Sequence, residues 1–305
     1  SNKMALPEKS IEQNDIIQQL LLNNNVVIDS VAGSGKTTTN LHIAKQLNDS
    51  KILLLTYNAK LKIETRKKVI SLGLNNLEVH SYHSFCVKYY NNRCFTDTEI
   101  KNVIEKKSNS LKQFRFDLIV LDEAQDLTSL YYKLVCKIFK DNILPAKMCI
   151  FGDKKQSIFD FNNADPRFIE YATELFKFNC YSWVKRNLSV SFRITYEMSL
   201  FINNCLLHEE RIVSHKETNN KPRYIICDCF GDRMGTSSRT FDEVKYYFDL
   251  GYKPSDIFIL APSVKSAKSP VRQLENKIKR ELPDVMIYVP TNDDEKLDEE
   301  LLEGK

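Results

Sequence analysis

The sequence predicts an α/β fold in which parallel strands are covered by helices on both faces. Two observations carry this. Short β-branched runs alternate with longer helical patterns along most of the chain, the order that parallel sheets require. The 305 residues are 42% hydrophobic and 28% charged, which suits a globular protein with one or two cores of ordinary size.

Strands are expected at 26–29, 52–56, 77–80, 118–122, 147–151 and 182–184, then at 223–229, 257–261 and 285–289. Helices are expected at about 11–22, 36–47, 59–72, 129–139, 166–176, 195–206, 240–250 and 270–282. Residues 86–115 lack a clear strand and read as a small helical insertion. A polar stretch from His215 to Lys221, followed by Pro222, reads as a domain junction. A first α/β unit is therefore expected at 1–215 and a second, with only three strands, at 221–290.

Charge and cysteine narrow the function classes. The formal charge is +4, but 291–305 holds seven acidic and two basic residues, so the preceding body is basic and suits a polyanionic partner. The acidic stretch itself reads as a solvated helix or tail. Eight scattered cysteines without a CxxC pair point to free thiols in a reducing, intracellular setting rather than a disulfide or zinc framework. No apolar run approaches a membrane span and no signal-peptide core opens the chain, so no membrane partner is expected.

The chemistry begins at Ser30-Val31-Ala32-Gly33-Ser34-Gly35-Lys36-Thr37, a G-x-x-x-x-G-K-[ST] loop with Ser for the first Gly. Gly33 and Gly35 can take backbone angles that aim successive N–H groups at phosphate, with Ser34 between them. The following helix presents its positive end to the same point. Lys36 can bridge the β- and γ-phosphates, and the Thr37 hydroxyl can bind Mg²⁺. A glycine turn before a helix is the bland alternative, and Lys-Thr in register after a strand weighs against it. The second element is "FDLIVLDEAQD", 116–126, an apolar strand ending in two acids. Asp122 is placed to hold the Mg²⁺ shell and Glu123 to polarise an attacking water. A helix cap with a first-turn acid would not predict the buried strand before it. The expected cofactors are ATP and Mg²⁺.

At "DEAQD" the sequence begins to resemble the UvrD/Rep family of superfamily 1 helicases, and further stretches follow in that family's motif order. "IEQNDII" looks like the Q motif, "LLLTYNAKLK" like motif Ia and "VHSYHSF" like a T-x-H-S-F element. "IFGDKKQSIFDFNNAD" resembles motif III, "LSVSFRIT" motif IV, and "DIFILAPS" with "VRQLENKIKREL" the opening of a second RecA-like domain. The resemblance implies a RecA-like P-loop NTPase domain plus a partial second one. It implies that Gln13 reads adenine, Phe192 stacks on it, Gln156 contacts the γ-phosphate and water, and Arg193 acts as an arginine finger. Thr38 stands in the loop region where many relatives carry Arg. The positions of Tyr57 and Phe161 stack on single-stranded DNA in this family. Phe159 adds a third aromatic, and Asn58, Lys60, His83 and Arg66 are candidates for the nucleic-acid backbone.

The implied activity is ATP-dependent movement along single-stranded DNA, 3′ to 5′ by analogy. Two other readings stay open: a nucleotide-gated nucleic-acid-binding module that does not unwind, and an RNA translocase. Ser191 replaces the Asn of motif IV, and nothing resembles motifs V and VI. The chain is thus expected to be the N-terminal part of a longer protein, hydrolysing ATP very slowly by itself.

Overall fold

The structure, a computed structural model, describes residues 5–156, 165–229 and 238–289. Helix α1 (Ile11–Leu21) starts at a capping box: the Ser10 hydroxyl accepts the Gln13 N–H, and the Gln13 side chain accepts the Ser10 N–H. There follow β1 (Asn25–Ser30), α2 (Lys36–Gln46), β2 (Ile52–Leu55), α3 (Ala59–Ser71), β3 (Leu77–His80), α4 (Tyr82–Tyr89) and α5 (Asp97–Glu105). Next come β4 (Leu118–Leu121), α6 (Ser129–Asp141), β5 (Lys147–Gly152), the single-turn helices α7 (Arg167–Glu170) and α8 (Ala172–Leu175), β6 (Trp183–Leu188) and α9 (Tyr196–Phe201).

The six strands form one parallel sheet in the order β3-β2-β4-β5-β1-β6. Alternate residues of each central strand enter separate cores, as a two-residue side-chain period requires. Val26, Ile28, Leu54, Val120 and Phe151 pack with Ile16, Ile17 and Leu20 of α1 and with Leu41 and Ile43 of α2. Leu53, Leu55, Ile119, Leu121 and Ile150 pack with Phe85 of α4 and with Leu134 and Ile138 of α6. Each such aliphatic side chain contributes about 1.5–3 kcal/mol on burial. The predicted fold class, a parallel α/β sheet flanked by helices, is the one observed.

Three details differ from the expectation. The sixth strand runs on to Leu188 through Lys185, Arg186 and Asn187, because an edge strand need not be apolar on both faces. The helix expected at 195–206 changes at Ile202 into a π-helical turn, Ile202–Leu207. The helical pattern at 166–176 is split into α7 and α8.

The chain divides into two compact units between Pro222 and Arg223. In the second, α10 (Arg239–Asp249) and α11 (Pro270–Glu281) pack through Phe241, Val244, Leu274 and Ile278. The runs expected as strands at 223–229, 257–261 and 285–289 form no ladder among the described residues. The reason is visible in their exposure. Val285 and Ile287 rest against the helix pair, while Ile226, Phe258, Leu260 and Met286 lie open. A parallel sheet is stable when both faces are covered, and here one side of each run has no cover among the described residues. No described helix is long and apolar enough to cross a membrane.

At the sheet edge, Glu78 of β3 accepts hydrogen bonds from Lys88 at 2.8 Å, from the Tyr89 hydroxyl and from His80. Burial disfavours its charge, but these three donors outweigh that and hold the carboxyl far below the usual glutamate range. The lowered pKa is stabilising above about pH 4.5 and is lost as acid titrates the folded state. Glu78→Gln is therefore expected to cost about 1–2 kcal/mol at pH 7, discounted for partial exposure. Thermal unfolding at stepped pH should show the gap between wild type and variant closing below about pH 4.5.

Candidate nucleotide and nucleic-acid site

Strand β1 delivers the loop at the carboxyl edge of the sheet, flanked by β5 and β6. Gly33 (φ 70°) and Gly35 (φ 81°) both occupy the left-handed region. Gly35 is the N-cap of α2 and supplies no side-chain acceptor, so the first N–H groups of that helix have no side-chain cap. The segment after β6 fastens the loop from above. The Phe192 N–H donates to the Gly33 carbonyl at 2.8 Å, and the Ser191 hydroxyl donates to that of Ala32 at 2.8 Å. Ser191 thus performs a specific task where the helicase pattern has Asn. A β-carbon on Gly33 would fall 2.6 Å from that of Arg193, and one on Gly35 would meet Gln13 at 3.1 Å and the Phe192 ring at 3.6 Å.

Gln13, Phe192 and Arg193 are therefore gathered around the two glycines. Gln13 is buried, and its amide nitrogen donates to Thr39 at 3.0 Å, while Phe192 and Arg193 are exposed. Thr39 was not anticipated from sequence; its hydroxyl donates to the Gly35 carbonyl at 2.8 Å. The Ser34 hydroxyl is buried without a hydrogen-bond partner among the described residues. Thr37 and Thr38 lie half-buried in the first turn of α2.

The acids come from the end of β4, two strands from the loop. The Lys36 ammonium donates to Glu123 at 2.5 Å and lies 3.9 Å from Asp122. Burial opposes the Lys36 charge, but the two carboxylates outweigh it and raise its pKa. Asp122 is almost wholly enclosed, and burial pushes it up to about 6 even with Lys36 near. Lys36 rises on the charges of Asp122 and Glu123, whereas Asp122 rises because its burial, with the neighbouring Glu123 charge, outweighs Lys36. Glu123 has φ 51°, uncommon for a residue with a side chain, and such strain gathers at functional sites.

Beyond Glu123 the contacts continue into β5. Gln125 donates to Glu123 at 2.7 Å and accepts the Asp153 N–H at 3.0 Å. Asp153 in turn accepts from the Gln156 amide at 2.5 Å and from Arg211 at 2.6 Å. Gln156 is thereby joined to Glu123 through two residues. Neither Gln125 nor Arg211 was singled out in the sequence. Gln125 had a signal in its place two residues after Glu123, whereas Arg211 had none.

The aromatic and polar set lies after β2 and β3. Tyr57 is half-buried on the core, with its ring centroid 5.9 Å from Tyr131, which stacks on Tyr82 at 4.5 Å. His83 meets the edge of Tyr131, and its Nε2 donates to Asp97 at 2.9 Å. The Asn58 side chain caps α3 by accepting the Leu61 N–H, and Lys60 is exposed. Arg66 donates to the Val79 carbonyl at 2.7 Å and contacts His80 at 3.0 Å, so it braces β3. Phe159 and Phe161 lie outside the described residues.

Residues 13–162 match a family model described as an AAA domain. No curated protein matches the chain. Among solved structures, the Pif1 helicase from Candida albicans is similar over 59% of this chain and 40% of that one, at 16% identity and a TM-score of 0.37. An unliganded Pif1 from Bacteroides sp is similar over 65% and 45%, at 16% identity and a TM-score of 0.36. A structure titled for DNA unwinding at forked duplex by two coordinating Pif1 helicases gives 65% and 48%, 17% identity and 0.38. The chain spans less than half the length of these helicases.

The loop geometry yields a direct test. Gly33→Ala introduces a β-carbon at positive φ and against Arg193, so it is expected to cost more than about 1 kcal/mol. Calorimetric unfolding should show the loss. Gly73→Ala, also at positive φ but with open space around it, serves as the control for backbone strain alone.

Proposed function

We propose that this chain carries the ATP-binding part of a superfamily 1 translocase that acts on single-stranded DNA. The observation that supports the reading is that Lys36, which follows the glycine loop, sits against Glu123 and near Asp122, with Arg193 packed on Gly33 and Gln156 linked to Glu123 through Asp153 and Gln125. That set contains a phosphate cradle, acids for metal and water, and an arginine suited to charge on equatorial phosphate oxygens. The motif order resembles UvrD/Rep, and the implied direction is 3′ to 5′.

In this reading the loop N–H groups and Lys36 bind the β- and γ-phosphates. Their negative charge competes with Glu123 for the Lys36 ammonium, and a released Glu123 oxygen can accept a proton from water. Thr37 and Asp122 would hold Mg²⁺, which would supply charge neutralisation when bound. The Asp122 environment fits: its carboxylate is buried at the strand end, with the Lys36 ammonium held off at 3.9 Å. Gln13 and Phe192 flank Gly35; the exposed Phe192 ring would stack on adenine, while Gln13 would have to exchange its bonds to Ser10 and Thr39 to read it. Arg193, whose Cβ packs against Gly33, would reach the γ-phosphate, and Gln156 would relay the nucleotide's state toward the DNA side. Tyr57 and Phe161 would stack on bases, with Phe159, Asn58, Lys60 and His83 along the backbone path.

Two measurements test this. Isothermal titration with Mg-ATP and Mg-ADP should show binding to the wild-type chain that Lys36→Ala abolishes; equal affinity in the variant would remove the loop assignment. Fluorescence anisotropy with mixed-sequence oligonucleotides should show Tyr57→Ala and Phe161→Ala each weakening binding by about 1–3 kcal/mol without sequence preference. Unchanged DNA affinity in both variants would make these aromatics purely structural.

A further inference from the structure

One arginine outside every recognised motif ties the parts of the site together. Arg211 follows the π-helical turn and reaches the carboxyl ends of two central strands. Its guanidinium donates to both oxygens of Asp29 at the end of β1, at 2.7 and 2.8 Å, and to Asp153 just after β5 at 2.6 Å. The side chain is only 12% exposed, so the contacts are largely shielded from water. Planar, five-donor geometry lets a single residue hold both acids at once.

The segment that presents Arg211 is itself fastened. Asn203, in the π-helical turn, donates to the Ile212 carbonyl at 2.9 Å and accepts the Arg211 and Ile212 N–H groups at 3.3 and 3.1 Å. The neighbouring Val213 pairs with the chain just before Phe192. Its N–H donates to the Ser189 carbonyl at 2.9 Å, and its carbonyl accepts the Ser191 N–H at 2.8 Å. Downstream of Arg211, Asp153 holds the Gln156 amide and, through its own N–H, Gln125, which holds Glu123. Every link is a hydrogen bond between named atoms.

We infer that Arg211 is a positioning residue: by fixing Asp153 it sets the orientation of the Gln156 amide and, through Gln125, of the Glu123 carboxylate. This rests on the proposed ATP-hydrolysing reading for its chemical consequence, but the positioning itself is independent of it. The guanidinium is engaged by Asp29 and Asp153, so Arg211 acts through these carboxylates. Without it, the Asp29 and Asp153 carboxylates would lose their shared cation. Asp153 would then keep the Lys155 N–H at 2.9 Å but lose the charged donor that pins its carboxylate beside Gln156, and the β5 end would lose its tie to the 211–214 segment.

The test compares wild type, Arg211→Gln and Arg211→Lys in the full chain. Lysine keeps the charge but cannot fork across both acids. Side-chain amide exchange of ¹⁵N-labelled glutamines is read by NMR, with Gln13 as the internal control for a folded loop. Arg211→Gln is expected to speed exchange at Gln125 and Gln156 while leaving Gln13 protected, and Arg211→Lys to do so less. Single-turnover ATP hydrolysis should fall about 10- to 100-fold in Arg211→Gln, with Mg-ADP affinity within about threefold of wild type. Unchanged amides at Gln125 and Gln156 overturn the inference. Should Gln13 also lose protection in Arg211→Gln, the lysine variant decides, and wild-type amides there overturn it. A wild-type chain that binds no Mg-ADP would instead strike at the proposed function and leave the amide result to stand by itself.

Discussion

The parallel ladder of β4, β5 and β1 is the constraint on which the site depends. These strands lie side by side and point the same way, so Asp122, Asp153 and the glycine loop all leave the sheet at one edge. The apolar residues of each strand are divided between two cores, and slipping the register by one residue would exchange those faces. The polar residues at the strand ends inherit that rigidity. Their positions are set by buried aliphatic packing rather than by contacts among themselves.

The edge so formed is crowded with charge, and the structure handles it by pairing. Lys36 lies on Glu123, and Arg211 spans Asp29 and Asp153. Asp122 is the member left with the weakest compensation, and burial accordingly favours its neutral form. Removing one partner of a shielded pair strands the other, at a cost of about 3–5 kcal/mol. The same rule explains why an anionic ligand suits the loop. In the proposed reading a phosphate would take over the Lys36 ammonium, while Glu123 would keep its hydrogen bond from Gln125. Backbone strain at Glu123 is held by the same contacts, since Lys36 and Gln125 grip its two carboxylate oxygens.

The segment carrying Ser191, Phe192 and Arg193 adds a second layer of dependence. It rests directly on Gly33, where no β-carbon would fit, and pairs with the 211–214 stretch behind it. The loop, the exposed ring of Phe192 and the exposed Arg193 side chain are thus one packed assembly. Glu12 reinforces it by accepting the Ser189 and Val190 N–H groups from α1. A shift in any of these parts is transmitted through close contacts rather than through a flexible linker.

The sequence by itself determined the class of fold, the succession of the central strands along the chain and the glycine loop after β1. Buried parallel strands are short apolar runs, and backbone at positive φ beside a close-packed neighbour admits little but glycine, so both are written locally. It also placed Asp122 and Glu123, because two acids directly after a buried apolar strand must emerge where that strand leaves the sheet. The polar end of β6 was not legible, since Lys185, Arg186 and Asn187 are held in a strand by edge pairing with β1. Nor could the runs at 223–229, 257–261 and 285–289 be distinguished from strands, because ladder formation depends on what covers each face. Tertiary structure alone decided that Arg66 braces β3 and that Gln125 bridges two strand ends. It alone decided the pairing of Arg211, whose acidic partners lie 58 and 182 residues away. A local pattern can specify a backbone conformation, but a hydrogen bond across that distance exists only once the sheet has brought its ends together.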